Sequence, residues 1–214
     1  PGGARPRPGE PDPARPRLRE ALALARHPSF LLAAVASASL QAAHGPFYAY
    51  GAINWRAQGL DEATIGALWA WGVAIEVALM FACGGWLVSR VGAAGAFALA
   101  GVAQVARWLA MAAEPSGAAL WFWQASHALT FAPAHLGMIA FVAAAAPERL
   151  SASAQGLIAA GFGGVAMALA TFAAAAAHPL WPGGVYLVAF ALAAAGLAAA
   201  AALAWRWDGR RLAE

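Results

Sequence analysis

Lysine is absent from this 214-residue chain: all 13 basic residues are arginine. Such uniformity reads as a GC-rich coding bias. A nucleic-acid surface would need a basic stripe with interleaved aromatics, whereas the pI near 9.8 comes from tails and loops. Charge of either sign is scarce at 11%, against about 25% in soluble domains, and apolar residues reach 62%, against roughly 45–50%. So few charges cannot cover that much apolar surface in water, which excludes a soluble enzyme. The one cysteine, Cys83, cannot form an internal disulfide, which excludes a disulfide scaffold. There is also no His-Glu-x-x-His motif and no cysteine cluster. A metal or haem protein would have to rest on His44, His127 and His135, and the last two lie about 12 Å apart along a helix. No enzyme, cofactor or metal is expected. What remains is a polytopic membrane protein.

Crossing a bilayer takes about 20 apolar residues. Six runs qualify: Phe30–Ile53, Ala63–Val88, Ala93–Ala113, Ala118–Ala146, Ser153–Ala177 and Gly184–Trp205. They are continuous rather than alternating, so the fold class is all-α with six transmembrane helices and not a barrel. Charge or turn signals separate them, for example Arg56 to Glu62 and Glu114-Pro115-Ser116-Gly117. The expected organisation is a disordered linker over 1–27, a six-helix domain over 28–206 and a tail over 207–214. The chain opens on Pro1, and the expectation is a fragment or processed chain whose upstream part is missing.

Arginine counts orient the spans. Eleven fall on one side: six in the N-terminal segment, Arg90, Arg149, Arg206, Arg210 and Arg211; the other side has Arg56 alone. Both termini are therefore expected in the cytoplasm, in a multi-pass protein of the inner (plasma) membrane. Trp55, Trp121, Trp123, Trp181, Trp205 and Trp207 sit near span ends and read as interfacial anchors. Gly156, Ala160 and Gly164 give the fifth span a smooth face for close helix contact.

Ionisable residues inside spans are expensive and need a reason. Glu76, His44, Arg107 and His127 fall at similar depth once alternating directions are allowed for. At 100° per residue, Ser37, Gln41, His44 and Tyr48 share one face of the first span. Gln124, His127, Phe131 and His135 share one face of the fourth. Each is a narrow polar-aromatic stripe suited to lining a cavity, or to hydrogen bonding between helices. Pro133 is expected to kink the fourth span. Arg107 needs an anion, Glu76 or a substrate carboxylate, or else reaches the outer interface by snorkelling.

Gln41-Ala-Ala-His-Gly-Pro-Phe-Tyr-Ala-Tyr through Asn54-Trp55, then Gly66-Ala-Leu-Trp-Ala-Trp and Ile75-Glu76, resemble the seventh and eighth helices of a major facilitator branch. Ala106-Arg107-Trp108 and Gln124-Ala-Ser-His127-Ala-Leu-Thr-Phe131 match its ninth and tenth in order. The branch is the phenylpropionate-permease-like group, related to lactose and nucleoside proton symporters, and the resemblance runs from about Pro28 to Trp205. Gly85-Trp-Leu-Val-Ser89-Arg90-Val-Gly92 is similar to the loop signature G-x3-D-R-x-G, with Ser89 in place of the aspartate, which gives Arg90 a gating role.

The resemblance implies a C-terminal six-helix half of a twelve-span fold, with its partner a missing N-terminal half or a second copy. It implies a proton-coupled secondary transporter of a small organic solute such as an aromatic acid, sugar or nucleoside. Glu76 and Arg107 would couple the proton; Gln41, His44, Tyr48, Gln124, His127 and Phe131 would contact substrate. The alternative is a six-span scaffold or an assembling half-transporter.

Overall fold

A computed structural model of the chain describes residues 18–212. The helices are α1 (Leu18–Leu24), α2 (Pro28–Ala42), α3 (Gly45–Ala57), α4 (Glu62–Ala112), α5 (Gly117–Ala125), α6 (His127–Ala145), α7 (Ser151–Gly156), α8 (Val165–Ala177) and α9 (Gly184–Arg206). A 3-10 turn (Glu148–Leu150) precedes α7, and an eight-residue π-helical run, Leu157–Gly164, joins α7 to α8. No strand occurs among the described residues.

Five helical runs are long and apolar enough to cross a membrane, and α4, at 51 residues, is one of them. It is nevertheless two spans. Gly92 has φ 66° and ψ −178°, a conformation open essentially to glycine alone. Glu76 and Arg107 lie on opposite sides of it and would be about 46 Å apart on a straight helix. Both contact the same residue, His127. Gly84 likewise faces Leu136, and Gly137 faces Ala93 and Phe97. The chain therefore reverses at Gly92, and the six expected spans are recovered.

Short signals set the other boundaries. At the Gly59 end, Gly59 takes φ 89° and the Asp61 carboxylate accepts from the Thr64 amide at 2.8 Å, capping α4. Arg56 there donates to both Glu62 oxygens, at 2.6 and 3.0 Å. The first span is discontinuous at Ala43-His44, where Pro46 in the first turn of α3 has no amide hydrogen to bond back. The fourth span breaks at Ser126, whose hydroxyl donates to Trp123 O at 2.6 Å. α6 continues through Pro133, which has no amide hydrogen to bond back to the preceding turn.

The buried apolar residues form two clusters. One, towards the Gly92 end, includes Phe30, Leu40, Phe97, Phe141 and Leu203. The other includes Phe47, Trp55, Leu68, Trp108 and Tyr186. Along α2–α3, α4 and α5–α6 the residues between them are buried and polar: His44, Gln104, Arg107, Gln124, His127 and Thr130. A polar layer thus cuts the core in two. Close helix contacts pass through glycines on either side; a Cβ on Gly101 would meet Leu197 at 2.8 Å, and one on Gly196 would meet Leu40 at 2.8 Å.

Several expectations need correction. Of the 1–27 linker, residues 1–17 lie outside the described residues, but Leu18–Leu24 is helical, with Leu24 buried and Glu20 paired to Arg149 at 3.0 Å. The C-terminal segment folds back onto α6: Leu212 is buried, its amide donates to Ala145 O at 2.9 Å, and Trp207 packs on Phe141 at 4.8 Å. Trp55 is no interfacial anchor; it is buried against Phe47 and Trp69. Gly156, Ala160 and Gly164 are all exposed, so their smooth face receives no helix among the described residues.

Candidate functional site

The polar layer is built around Arg107, whose side chain is fully buried. Snorkelling to the interface is therefore not its arrangement. Its guanidinium lies against the rings of Phe47 and Trp108, 4.9 and 4.6 Å from their centroids. One terminal nitrogen, Nη1, donates to His127 Nδ1 at 3.0 Å and Thr130 Oγ1 at 3.3 Å. The other, Nη2, donates to Gln124 Oε1 at 2.9 Å. Nε has no acceptor among the described residues.

The tautomer of His127 follows from its partners. Arginine has no acceptor and keeps its protons, so Nδ1 must receive the bond and carry no hydrogen. The ring proton then resides on Nε2, which faces Glu76 Oε2 at 3.1 Å. A neutral imidazole thus bridges a fixed cation and a carboxylate. Glu76 retains 13% side-chain exposure while His127 keeps 7%, so the carboxylate is the more open end of this relay.

A second chain of bonds reaches His44. Its Nδ1 donates to Leu40 O at 3.1 Å, which leaves Nε2 facing Thr130 Oγ1 at 3.2 Å. The same hydroxyl lies 2.9 Å from His127 O. With one hydrogen, it serves either His44 or that carbonyl. Gln104 ties the layer together: its amide nitrogen donates to Leu40 O and Thr130 O, both at 3.0 Å, and its oxygen accepts from Trp108 Nε1 at 3.3 Å.

Of the residues singled out in the sequence, Glu76, Arg107, His44, Gln124 and His127 come together in this network. Tyr48 stacks on His44 at 5.8 Å and is 43% exposed. Phe131 touches the rings of His44, His127 and His135. Gln41 lies one turn away on the same wall and lines a cavity with Phe131 and His135. Arg90 stands apart near the Gly92 reversal, exposed, with its guanidinium 5.9 Å from the Trp86 ring. Among the described residues no group of three His, Cys, Asp or Glu could hold a metal.

Two members of the network, Thr130 and Gln104, escaped the sequence reading. Both were on visible faces: Thr130 lies three residues after His127, and Gln104 three before Arg107, on the same side of their helices. Small or neutral polar residues attract less notice in a span than charges do.

Comparison with known proteins gives the context. The model of the MFS_1 like family matches residues 7–179. Over 105 residues, 49% of this chain, the sequence is 34% identical to the "Probable 3-phenylpropionic acid transporter" of Escherichia coli (strain K12). The match spans 27% of that protein's length. No solved structure matches the chain. With most of its length inside the family model and its spans in the arrangement described, the chain belongs to the MFS_1 like family, a multi-pass membrane protein related to the phenylpropionate permeases of the major facilitator superfamily.

Proposed function

We propose that the chain is the working half of a proton-coupled secondary transporter for a small organic solute, in the inner membrane with both termini cytoplasmic. The observation that carries this reading is the buried Arg107–His127–Glu76 relay. A carboxylate in a span is costly when ionised unless it has a partner, and neutralises when it loses one. Glu76 is the member of the relay that can gain a proton without any atom of Arg107 losing its bond. Protonation removes its attraction to the His127 Nε2–H and loosens the link between the second span and α6. A change of charge thereby becomes a change of helix packing, which is the step that coupling needs.

Among the six residues expected at substrate, Gln41, Tyr48 and Phe131 offer accessible surface. His44, Gln124 and His127 are held by the network, and we assign them to positioning Arg107 and Glu76 rather than to binding. The relative is named a probable transporter of 3-phenylpropionic acid, and the wider branch that the sequence resembles includes lactose and nucleoside symporters, so the solute proposed here is an aromatic acid, sugar or nucleoside. Arg90 would act at the Gly92 reversal as a gating residue. A second six-helix unit, a missing half or another copy, completes the pathway. It would cover the open faces of the second and fifth spans, where Phe81, Trp86, Leu169 and Phe172 are exposed.

The test is Glu76→Gln in the complete protein. Uphill accumulation driven by a proton gradient should vanish while exchange of solute across the membrane survives. Accumulation at the wild-type level would refute the assignment of the proton to Glu76.

A further inference from the structure

Three buried side-chain atoms among the described residues have no hydrogen-bond partner: Arg107 Nε, Glu114 Oε1 and the Tyr186 hydroxyl. The first belongs to the cation of the relay. The other two lie outside it, at the end of the bundle opposite Gly92. Glu114 follows the third span, two residues past the end of α4, and Tyr186 sits in the first turn of α9, the sixth span. The two spans meet closely there, since a Cβ on Gly183 would collide with Ala112 O. The Tyr186 ring stacks on Trp108, with centroids 6.3 Å apart and planes 8° from parallel. Tyr186 is only 1% exposed, so surface water does not satisfy its hydroxyl.

Glu114 is also strained. Its φ of 53° makes it the one non-glycine residue with positive φ among the described residues. A glutamate Cβ resists this region, and the Pro115 that follows pushes its neighbour towards extended backbone instead. Strain of this kind persists only where the surroundings hold it, and it gathers at functional sites. An unpaired carboxylate oxygen on a strained residue, with an unpaired phenol near it, puts two costs in one place.

The neighbours leave few ways to meet those costs. Asn54 lies beside the Tyr186 hydroxyl without bonding it. Its amide is engaged elsewhere: Nδ2 donates to Pro182 O at 3.1 Å, and Oδ1 accepts from His178 Nε2 at 3.0 Å. The charges of Arg107 and Glu114 both reach the hydroxyl, and of the two only a carboxylate can take its hydrogen. The other titratable groups at this end are engaged: His178 stacks on Tyr50 at 4.7 Å, Arg56 pairs with Glu62, and Asp61 caps α4. Helix α5 carries none.

We propose that Glu114 and Tyr186 form an outer latch between the third and sixth spans, closed through one buried water. The Tyr186 hydroxyl donates to the water, and the water donates to Glu114 Oε1, which satisfies both atoms at once. The latch is tight while Glu114 is ionised, because a hydrogen bond to a carboxylate is roughly twice as strong as one to a neutral group. It weakens when Glu114 gains a proton. With both termini cytoplasmic that proton comes from the outer side; this assignment of sides rests on the proposed orientation, whereas the tie itself does not depend on transport. The fold thus holds a second carboxylate besides Glu76, one that loosens its outer end in acid.

The experiment is amide hydrogen exchange on the complete protein in nanodiscs, without solute. It follows residues 187–191 of α9 at about pH 7 and about pH 4, corrected for the intrinsic pH dependence of exchange. Tyr186→Phe and Glu114→Gln should each speed exchange at neutral pH by about three- to tenfold, the range of hydrogen bonds between membrane helices. The double variant should be no faster than either single one. Wild-type protection should fall by a similar factor in acid, and Glu114→Gln should show no such fall. Glu114→Asn, which suits positive φ and carries no charge, should lose the acid response in the same way although its backbone strain is relieved. The proposal is overturned if the single effects add in the double variant, or if the acid response survives in both Glu114 variants. Protection that rises with sodium concentration would put a cation there in place of water and overturn it too. Normal accumulation by Glu76→Gln would defeat the proton assignment at Glu76 and leave the latch standing, whereas additive exchange effects would defeat the latch alone.

Discussion

Replacing Arg107 by methionine tests the logic of the polar layer most directly. The substitution keeps much of the side-chain bulk against Phe47 and Trp108 but removes three hydrogen bonds and the cation–π contacts. Hydrogen bonds between membrane helices average about 0.6 kcal/mol each, with an upper value near 1.7. A desolvated cation–π contact adds about 2 kcal/mol. The expected loss is therefore about 2–4 kcal/mol, read as a shift in the midpoint of unfolding in mixed detergent micelles. The sharper expectation concerns Glu76, which loses the cation that balances it through His127. The double variant Arg107→Met/Glu76→Gln should be less destabilised than the two single effects added together, with a coupling of about 0.5–3 kcal/mol. In a His127→Phe background that coupling should disappear, because the imidazole carries it. Additive effects with His127 intact would mean that the charges do not sense each other, and the relay would be only a geometric coincidence.

Other outcomes follow from single positions. Thr130→Val keeps the shape but orphans His44 Nε2, and should cost about 1–2 kcal/mol in the same unfolding assay; an unchanged midpoint would argue against the hydroxyl as the junction. Gly92→Ala meets no steric contact, yet should lose about 1–3 kcal/mol from backbone strain at φ 66°; a neutral result would mean that another residue sets the reversal. The Asp61 carboxylate is held below its usual range first by the Thr64 amide, then by the Thr64 hydroxyl. Its stabilising effect should be complete above the ordinary value of 3.8 and fade as pH falls through the lower folded value. Asp61→Asn should flatten that acid limb of the stability profile, measured by thermal melting from pH 5 to pH 2.

The sequence by itself determined the class of molecule, the six spans and most of the polar layer. Hydrophobic length and charge scarcity are local properties, and a charge inside an apolar run is conspicuous without any structure. Helical period then put Gln124, His127, Phe131 and His135 on one face, because 3.6 residues per turn is a constant of the backbone. The family emerged from ordered residues such as Glu76, Arg107-Trp108 and His127. Tertiary structure decided which atoms meet. Arg107 could have reached an interface or a carboxylate directly; only the packing of α4 against α6 set it on His127 Nδ1, which in turn fixed the imidazole's proton on the Glu76 side. Only the meeting of α2, α6 and the π-helical run set a cavity beside His135. Contacts of this kind depend on interhelical distances of a few ångströms, set by glycines and side-chain volumes on several helices at once, and no single segment of sequence carries that information.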